Sequence, residues 1–489
     1  MCDFEELYSW VKDLPIVDWH NHLDMSMLAE DKPLGSLYEV WVKSDPYKHR
    51  AMRICGEPEH VSTGDAGEDE KWAAWMRTLP KLVGNPLFTW ARMELEWLGL
   101  DPLPYLRGTG DNVSLSNWTP SKLLKRFNVE YLSPCVQAEE EFFSHKDHKE
   151  RKEELFTNDN CHNCSQITNT NILANSGNPT RSTCSTRIKI LPSLRLNAGD
   201  EVSGETLEKF HEAGCRVVDI SVDDVTQLTT YNSQLSTVAA YAAAHGWTML
   251  LHLGALRETS ERLRAAAGPT GGFAGMRAPV DPAVVATFLN GLERTPSIFS
   301  HKDHNERKEE LFTHDNCHNC SQITNTNHLA NSGISTRSTC STRLNNLENP
   351  VSPVNPVGNS LPRTILLSLN PEAHAQLAVL AGSFVEEGMP GKVQLGPAWW
   401  WCDHEEGIRD VLEKNAAYGV LSTFIGMTTD SRSLLSFVRH DYFRRILCKW
   451  VAEKVASGAF PDDEALLRPM LGNICYKNAR EMVLATKIF

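Results

Sequence analysis

Two histidines separated by one residue, His20 and His22, close the short apolar run IVDWH. On an extended strand, residues i and i+2 face the same side, so both imidazoles can reach a single metal ion. Far along the chain, the run Leu421–Met427 releases Asp430, Ser431, Arg432 and Ser433. A carboxylate and a guanidinium two residues apart at a strand tip suit acid–base chemistry on an anionic substrate. The same residue types also cap helices, because Asp and Ser accept from the free N–H groups of a first turn. Between these ends lie more groups of the same kind: Arg195, His252 with Arg257 after it, and the pair Trp399 and Trp400. Each stands at or just beyond the end of a β-type run.

Those runs are the elements that must position the chemistry. They read as IVDWH (16–20), VEYLS (129–133), IKILPSLR (188–195), CRVVDISV (215–222), WTMLLHLG (247–254), RTILLSLN (363–370), KVQLGPAWW (392–400) and LSTFIGM (421–427). Most are separated by helical patterns, such as SGETLEKFHEAG (203–214) and LSTVAAYAAAHG (235–246). Alternation of strand and helix predicts a parallel sheet. Eight repeats predict a closed (β/α)8 barrel of the TIM type, whose active site lies at the C-terminal ends of the strands. An open doubly wound sheet would place a glycine-rich phosphate loop after its first strand, and none is present. The expected organisation is one α/β domain over 1–489, a distorted barrel with a helical subdomain at 28–128 between strands 1 and 2. Apolar residues recur there at three- and four-residue spacing, as on helices packed over a core. Its cluster Tyr47, Lys48, Arg50 and Arg53 reads mostly as a solvated helix face.

A net charge of -14 and a pI near 5.7 argue against a nucleic-acid partner, which requires a basic stripe. The opening residues lack the cationic and apolar regions of a signal peptide. No uninterrupted apolar run reaches the length of a membrane span. Seven of the 13 cysteines are scattered through apolar or helical sequence, as in a reduced cytosolic protein. The expectation is a cytoplasmic enzyme acting on a small molecule, with homo-oligomerisation left open.

The other six cysteines belong to a duplication. Residues 143–187 recur as 299–343 with five differences in 45 positions. Each copy joins a charged section to an Asn/Thr/Ser-rich one with little to bury, which predicts a mobile insert loop. Each carries Cys-His-Asn-Cys (161–164 and 317–320). That motif could supply half of a zinc site, but the second half lacks suitable spacing.

Two histidines and an aspartate across a barrel mouth suit a divalent metal, zinc best of all. His252 is a candidate further ligand or hydrogen-bonding acid. Two reactions stay open on the residues alone. A hydrolase would use metal-bound water, whereas an isomerase would move a proton next to a carbonyl while arginines hold an anion. Arg195, Arg257 and Arg432 favour the isomerase. A third reading is an inactive barrel whose duplicated loops bind a metal or a partner.

The motifs DWHNHL (18–23), DPYKHRAMR (45–53), GNPLFTW (84–90), LHLGALR (251–257), SLNPE (368–372), GKVQLGPAWWW (391–401), GMTTDSRSLLSFVRHDYFRRILC (426–448) and NICYKNA (473–479) are similar to those of the uronate (glucuronate) isomerase family. The likeness covers most of the chain outside the duplicated segments. It implies an amidohydrolase-superfamily barrel that interconverts D-glucuronate with D-fructuronate and D-galacturonate with D-tagaturonate. It further implies a metal surrounded by His20, His22 and Asp430, and a hexuronate site lined by Tyr47, Arg195, His252, Trp399 and Arg432. Arg257 and Trp400 are expected beside them as substrate-binding residues. Asp430 or Tyr47 would carry the proton between C2 and C1 through an enediol. The chain departs from the family at Pro46, where a histidine usually precedes the tyrosine. It also lacks the Thr-Thr-Asp-Asp-Pro loop after the second strand, where SPCVQAEEEFF (133–143) stands instead.

Overall fold

The computed structural model describes residues 2–138, 188–268, 271–295 and 361–484. The duplicated segments 143–187 and 299–343, with their Cys-His motifs, lie outside the described residues. The strands are β1 (Ile16–Asn21), β2 (Val129–Gln137), β3 (Lys189–Ile190), β4 (Ser193–Asn197), β5 (Val217–Val222), β6 (Thr248–Leu253), β7 (Ala255–Leu256), β8 (Gly275–Met276), β9 (Arg363–Ser368) and β10 (Val393–Leu395). The main sheet runs β1-β2-β4-β5-β6-β9-β10, with β3 attached to β2, and all its pairings are parallel. β7 and β8 form a small antiparallel pair. β1, β5 and β6 are buried along their whole length, as expected of strands covered on both faces.

The eighth strand is a correction. Leu421–Met427 has the composition of a buried strand, yet it forms a 3-10 turn at Leu421–Thr423 followed by irregular backbone. Its place in the barrel wall is kept by other means. The Gln394 side chain on β10 accepts from Ile425 N–H at 2.9 Å. The Asn478 amide donates to the carbonyls of Ser422 and Phe424, both at 2.8 Å. On the far side, Asp430 N–H donates to His20 C=O (3.1 Å) and His22 N–H donates to Ser431 C=O (2.9 Å). Gly426 explains why a regular ladder fails here: its φ is +76°, and an added Cβ would meet the Ile474 carbonyl oxygen at 2.1 Å. Only glycine takes that conformation at such a close approach without strain. The third predicted run is also divided, with β3 and β4 separated at Leu191–Pro192, because proline cannot donate to a ladder.

Between β1 and β2 the chain is helical. Helix Pro46–Ile54 starts sharply because Asp45 caps the N–H groups of Tyr47 and Lys48 and Pro46 occupies the first turn, where a missing N–H costs nothing. Helix Pro86–Leu98 is capped by Asn85 and ended by left-handed Gly99. These helices have their own apolar core around Trp41, Trp75 and Trp90, distinct from the barrel core around Val218, Leu250 and Ile365. Lys48 is a second correction: it is 1% exposed and lies between Asp45 (2.8 Å) and Glu94 (3.6 Å), not on a solvated face. The described helices include none long and apolar enough to cross a membrane.

Candidate active site

The site assembles where β1 ends. His20 is buried on the strand and His22, just past it, is partly exposed. Both imidazoles reach Asp430 Oδ1 through Nε2, at 3.0 Å and 3.1 Å. Asp430 can do this because its loop is tied to β1 by a second carboxylate, Asp18. Asp18 accepts from Thr429 N–H (2.7 Å), Thr429 Oγ1 (2.7 Å) and Thr428 Oγ1 (2.8 Å), and pairs with His440 Nε2 at 3.2 Å. The backbone pays for this placement in strain: Asp430 sits at φ +48°, a region non-glycine residues occupy mainly at turns and functional sites.

Other predicted residues join the same mouth. Trp399 Nε1 donates to Asp430 Oδ2 at 2.7 Å, and its ring lies 4.4 Å from that of His252. His252 in turn lies 4.8 Å from the His20 ring. Trp400 packs against Trp399, and the Arg257 guanidinium lies 5.6 Å from the Trp400 ring. Arg257 also donates to Asp223 (3.0 Å) and Ser221 (2.9 Å). Arg432 is exposed and stands within electrostatic reach of Asp430, Arg195, Arg257 and Asp45.

Four important residues were not singled out in the sequence. Asp219, fully buried on β5, pairs with Arg195 and accepts from His252 Nδ1 at 2.6 Å. Cys135, near the end of β2, places Sγ 3.3 Å from His20 Nδ1 and 3.5 Å from Asp219 Oδ2. Asp403 accepts from Tyr47 Oη with both oxygens at 2.9 Å. Arg439 donates to Asp403 at 3.2 Å and lies 4.1 Å from the Trp90 ring and 5.1 Å from the Tyr47 ring. Position alone could have flagged Asp219, which faces the barrel interior two residues before a strand-end serine. Asp403 and Arg439 carry no such signal, since a loop and a helix bring them in.

Burial and neighbours sort the protonation states. Burial opposes the charge on Asp430, but the hydrogen bonds and charges of His20 and His22 outweigh it and hold the carboxyl well below its usual range. Asp219 behaves likewise, with Arg195, His252 and His20 overcoming burial. Burial pulls His252 down to about 4 despite Asp219, so its imidazole is neutral. Tyr47 is pushed well above the usual phenol value by burial and then by the Asp403 charge. It therefore keeps its proton and donates it to Asp403.

The donor set fits a divalent metal. Ligand atoms of His20, His22 and Cys135 lie within 4.8 Å of one another, as do those of His20, Asp219 and His252. In the second group Asp219 is already engaged by Arg195. Asp430 belongs to neither group, but its Oδ1 lies 3.0 and 3.1 Å from Nε2 of His20 and His22, which makes those three a further candidate set. Two imidazole nitrogens and a carboxylate oxygen are a common zinc combination.

A model of the glucuronate isomerase family matches residues 3–244 and 329–483. The chain belongs to the glucuronate isomerase family. It is 29% identical to the uronate isomerase of Caldicellulosiruptor bescii over 96% of this chain and 94% of that protein. Identity to the uronate isomerase of Bacillus licheniformis is 28%, over 97% of this chain and 93% of that one. Among solved structures, the uronate isomerase of Thermotoga maritima superposes with a TM-score of 0.66 at 21% identity, covering 98% of this chain and 96% of that one. The glucuronate isomerase of Caulobacter crescentus gives 0.67 at 17% identity, with 98% and 93% covered. These two likenesses support the barrel-type α/β fold for this chain.

Proposed function

We propose that this family member is a uronate isomerase interconverting D-glucuronate with D-fructuronate, and D-galacturonate with D-tagaturonate, by moving a proton between C2 and C1. The observation that carries the reading is the single Asp430 carboxylate shared by His20 and His22 within electrostatic reach of Arg432 and Arg195. His20, His22 and Asp430 would hold a divalent metal, read as zinc from its donors, which when bound supplies a Lewis acid for a substrate oxygen.

Asp430, ionised at neutral pH, is the group suited to take the C2 proton of the open-chain aldose. The electron pair of the C–H bond becomes the C1–C2 double bond, and the carbonyl electrons move onto O1. The proton then returns at C1 while O2 becomes the ketone oxygen and the hydroxyl proton passes from O2 to O1. Tyr47 is a neutral phenol whose proton points at Asp403, so its lone pairs are the part it can offer a substrate hydroxyl. This favours Asp430 over Tyr47 as the base acting on carbon. Arg432, Arg195 and Arg257 provide the positive charge that a uronate carboxylate requires, and a guanidinium has five donors, so a pair with one aspartate does not exhaust it. Trp399 and Trp400 form an apolar wall that limits water. The acidic composition and the seven unpaired cysteines among the described residues support a cytoplasmic enzyme.

The test is ketose formation from D-glucuronate. Asp430→Asn keeps the shape and removes the base, and should lower kcat by about 10²–10⁴-fold. Unchanged turnover in that variant would remove Asp430 from the chemistry.

A further inference from the structure

Cys135 stands close to the proposed metal centre; its sulfur groups with His20 and His22 as a candidate ligand, but a centre on the Nε2 side of His20 beside Asp430 leaves it another task. It lies near the C-terminal end of β2, partly exposed, with Sγ between two groups of different function. On one side is His20 Nδ1 at 3.3 Å, and on the other is Asp219 Oδ2 at 3.5 Å. Ser193 Oγ donates to the same sulfur at 3.4 Å. His20 uses its opposite nitrogen, Nε2, toward Asp430. The sulfur thus lies at the ring edge away from the metal position, which excludes it as a ligand alongside Nε2 in this arrangement.

A metal-bound histidine needs a partner on its second nitrogen, because that hydrogen bond fixes the tautomer and the ring orientation. The usual partner is a carboxylate, a carbonyl or water. Here the nearest carboxylate oxygen, that of Asp219, is 3.8 Å from Nδ1, beyond hydrogen-bonding distance. The thiol fills the gap. We propose that Cys135 is the positioning residue for His20: its sulfur accepts the Nδ1 proton while its S–H donates to Asp219. Nε2 is thereby left as the unprotonated donor.

The link has a further consequence. Asp219 also pairs with Arg195 and accepts from His252 Nδ1. One thiol therefore connects a metal-binding imidazole to two residues that face the substrate. The inference rests on the proposed metal centre.

The test is zinc affinity, measured by chelator competition on the full chain, with metal-free unfolding midpoints alongside. Cys135→Ala should weaken zinc binding by about 10–100-fold with an unchanged metal-free midpoint. Cys135→Ser, which can still accept and donate, should stay near the wild-type affinity. Equal affinity in wild type and Cys135→Ala would overturn the proposal. So would equal loss in both variants with unchanged metal-free midpoints, which would assign the sulfur to the metal itself alongside His20 and His22. A wild-type chain that binds no zinc would instead sink the metal centre itself, and this assignment with it.

Discussion

Among single residues, the hydrogen-bonded pair Tyr47 and Asp403 offers a test of the proposed chemistry. Family resemblance singles out Tyr47, but the direction of its proton emerges only when Asp403 and Arg439 are seen around it. If Asp403 acts by orienting the phenol, Asp403→Asn should reduce turnover on its own by about 10-fold or more. The same change in a Tyr47→Phe background should cost almost nothing further, since residues working as a unit are non-additive. Kinetics of the two single variants and the double variant settle this: purely additive losses would mean that Asp403 has a separate role. The pairing could not be foreseen because hydrogen-bond partners 356 positions apart leave no trace in spacing or periodicity.

Among elements, the decisive one is the irregular segment at the eighth position of the wall. It sets Asp430 against β1 through Asp18, Gln394 and Asn478 in place of a strand ladder. Gly426 is the residue that this path cannot replace. Gly426→Ala places a methyl group against the Ile474 carbonyl at positive φ, and should destabilise the fold by about 2–4 kcal/mol. Denaturant unfolding measures the loss, and activity should fall with it because the loop bearing Asp430 must shift. A variant with a wild-type midpoint would show that the segment relaxes freely. The apolar, β-branched composition of 421–427 rightly indicated burial. Composition does not separate a buried strand from a buried irregular segment, and the outcome turned on a close approach by residues near the C terminus.

For the whole molecule, acid stability and metal content are the properties to test. His49 is almost fully buried in the helical layer, and burial pulls its pKa down to about 4, against opposing charges on Asp45 and Glu59. The unfolded chain takes up this proton near pH 6.5, whereas the folded chain does not until about pH 4. Its contribution is therefore complete above about pH 6.5 and is lost as the pH falls toward 4, amounting to about 3 kcal/mol over the window. Unfolding of His49→Phe between pH 7.5 and 4 should show a correspondingly shallower acid slope; an identical slope would clear His49 of the effect. The duplicated segments supply the second test. Replacing Cys161, Cys164, Cys317 and Cys320 by serine should leave zinc per chain unchanged if the metal sits at the proposed centre of His20, His22 and Asp430. A fall in zinc content would locate metal in those segments.

The sequence alone determined the alternation of strands and helices, the barrel, and the candidate residues at the strand ends. These follow from local periodicity and from the rule that side chains two apart share a face. The tertiary structure decided which groups meet: Asp18 with the Asp430 loop, Asp219 between Arg195 and His252, Cys135 behind His20, and Asp403 beneath Tyr47. Each of these contacts joins residues remote in the chain, and its energy depends on burial and distance that no local pattern encodes.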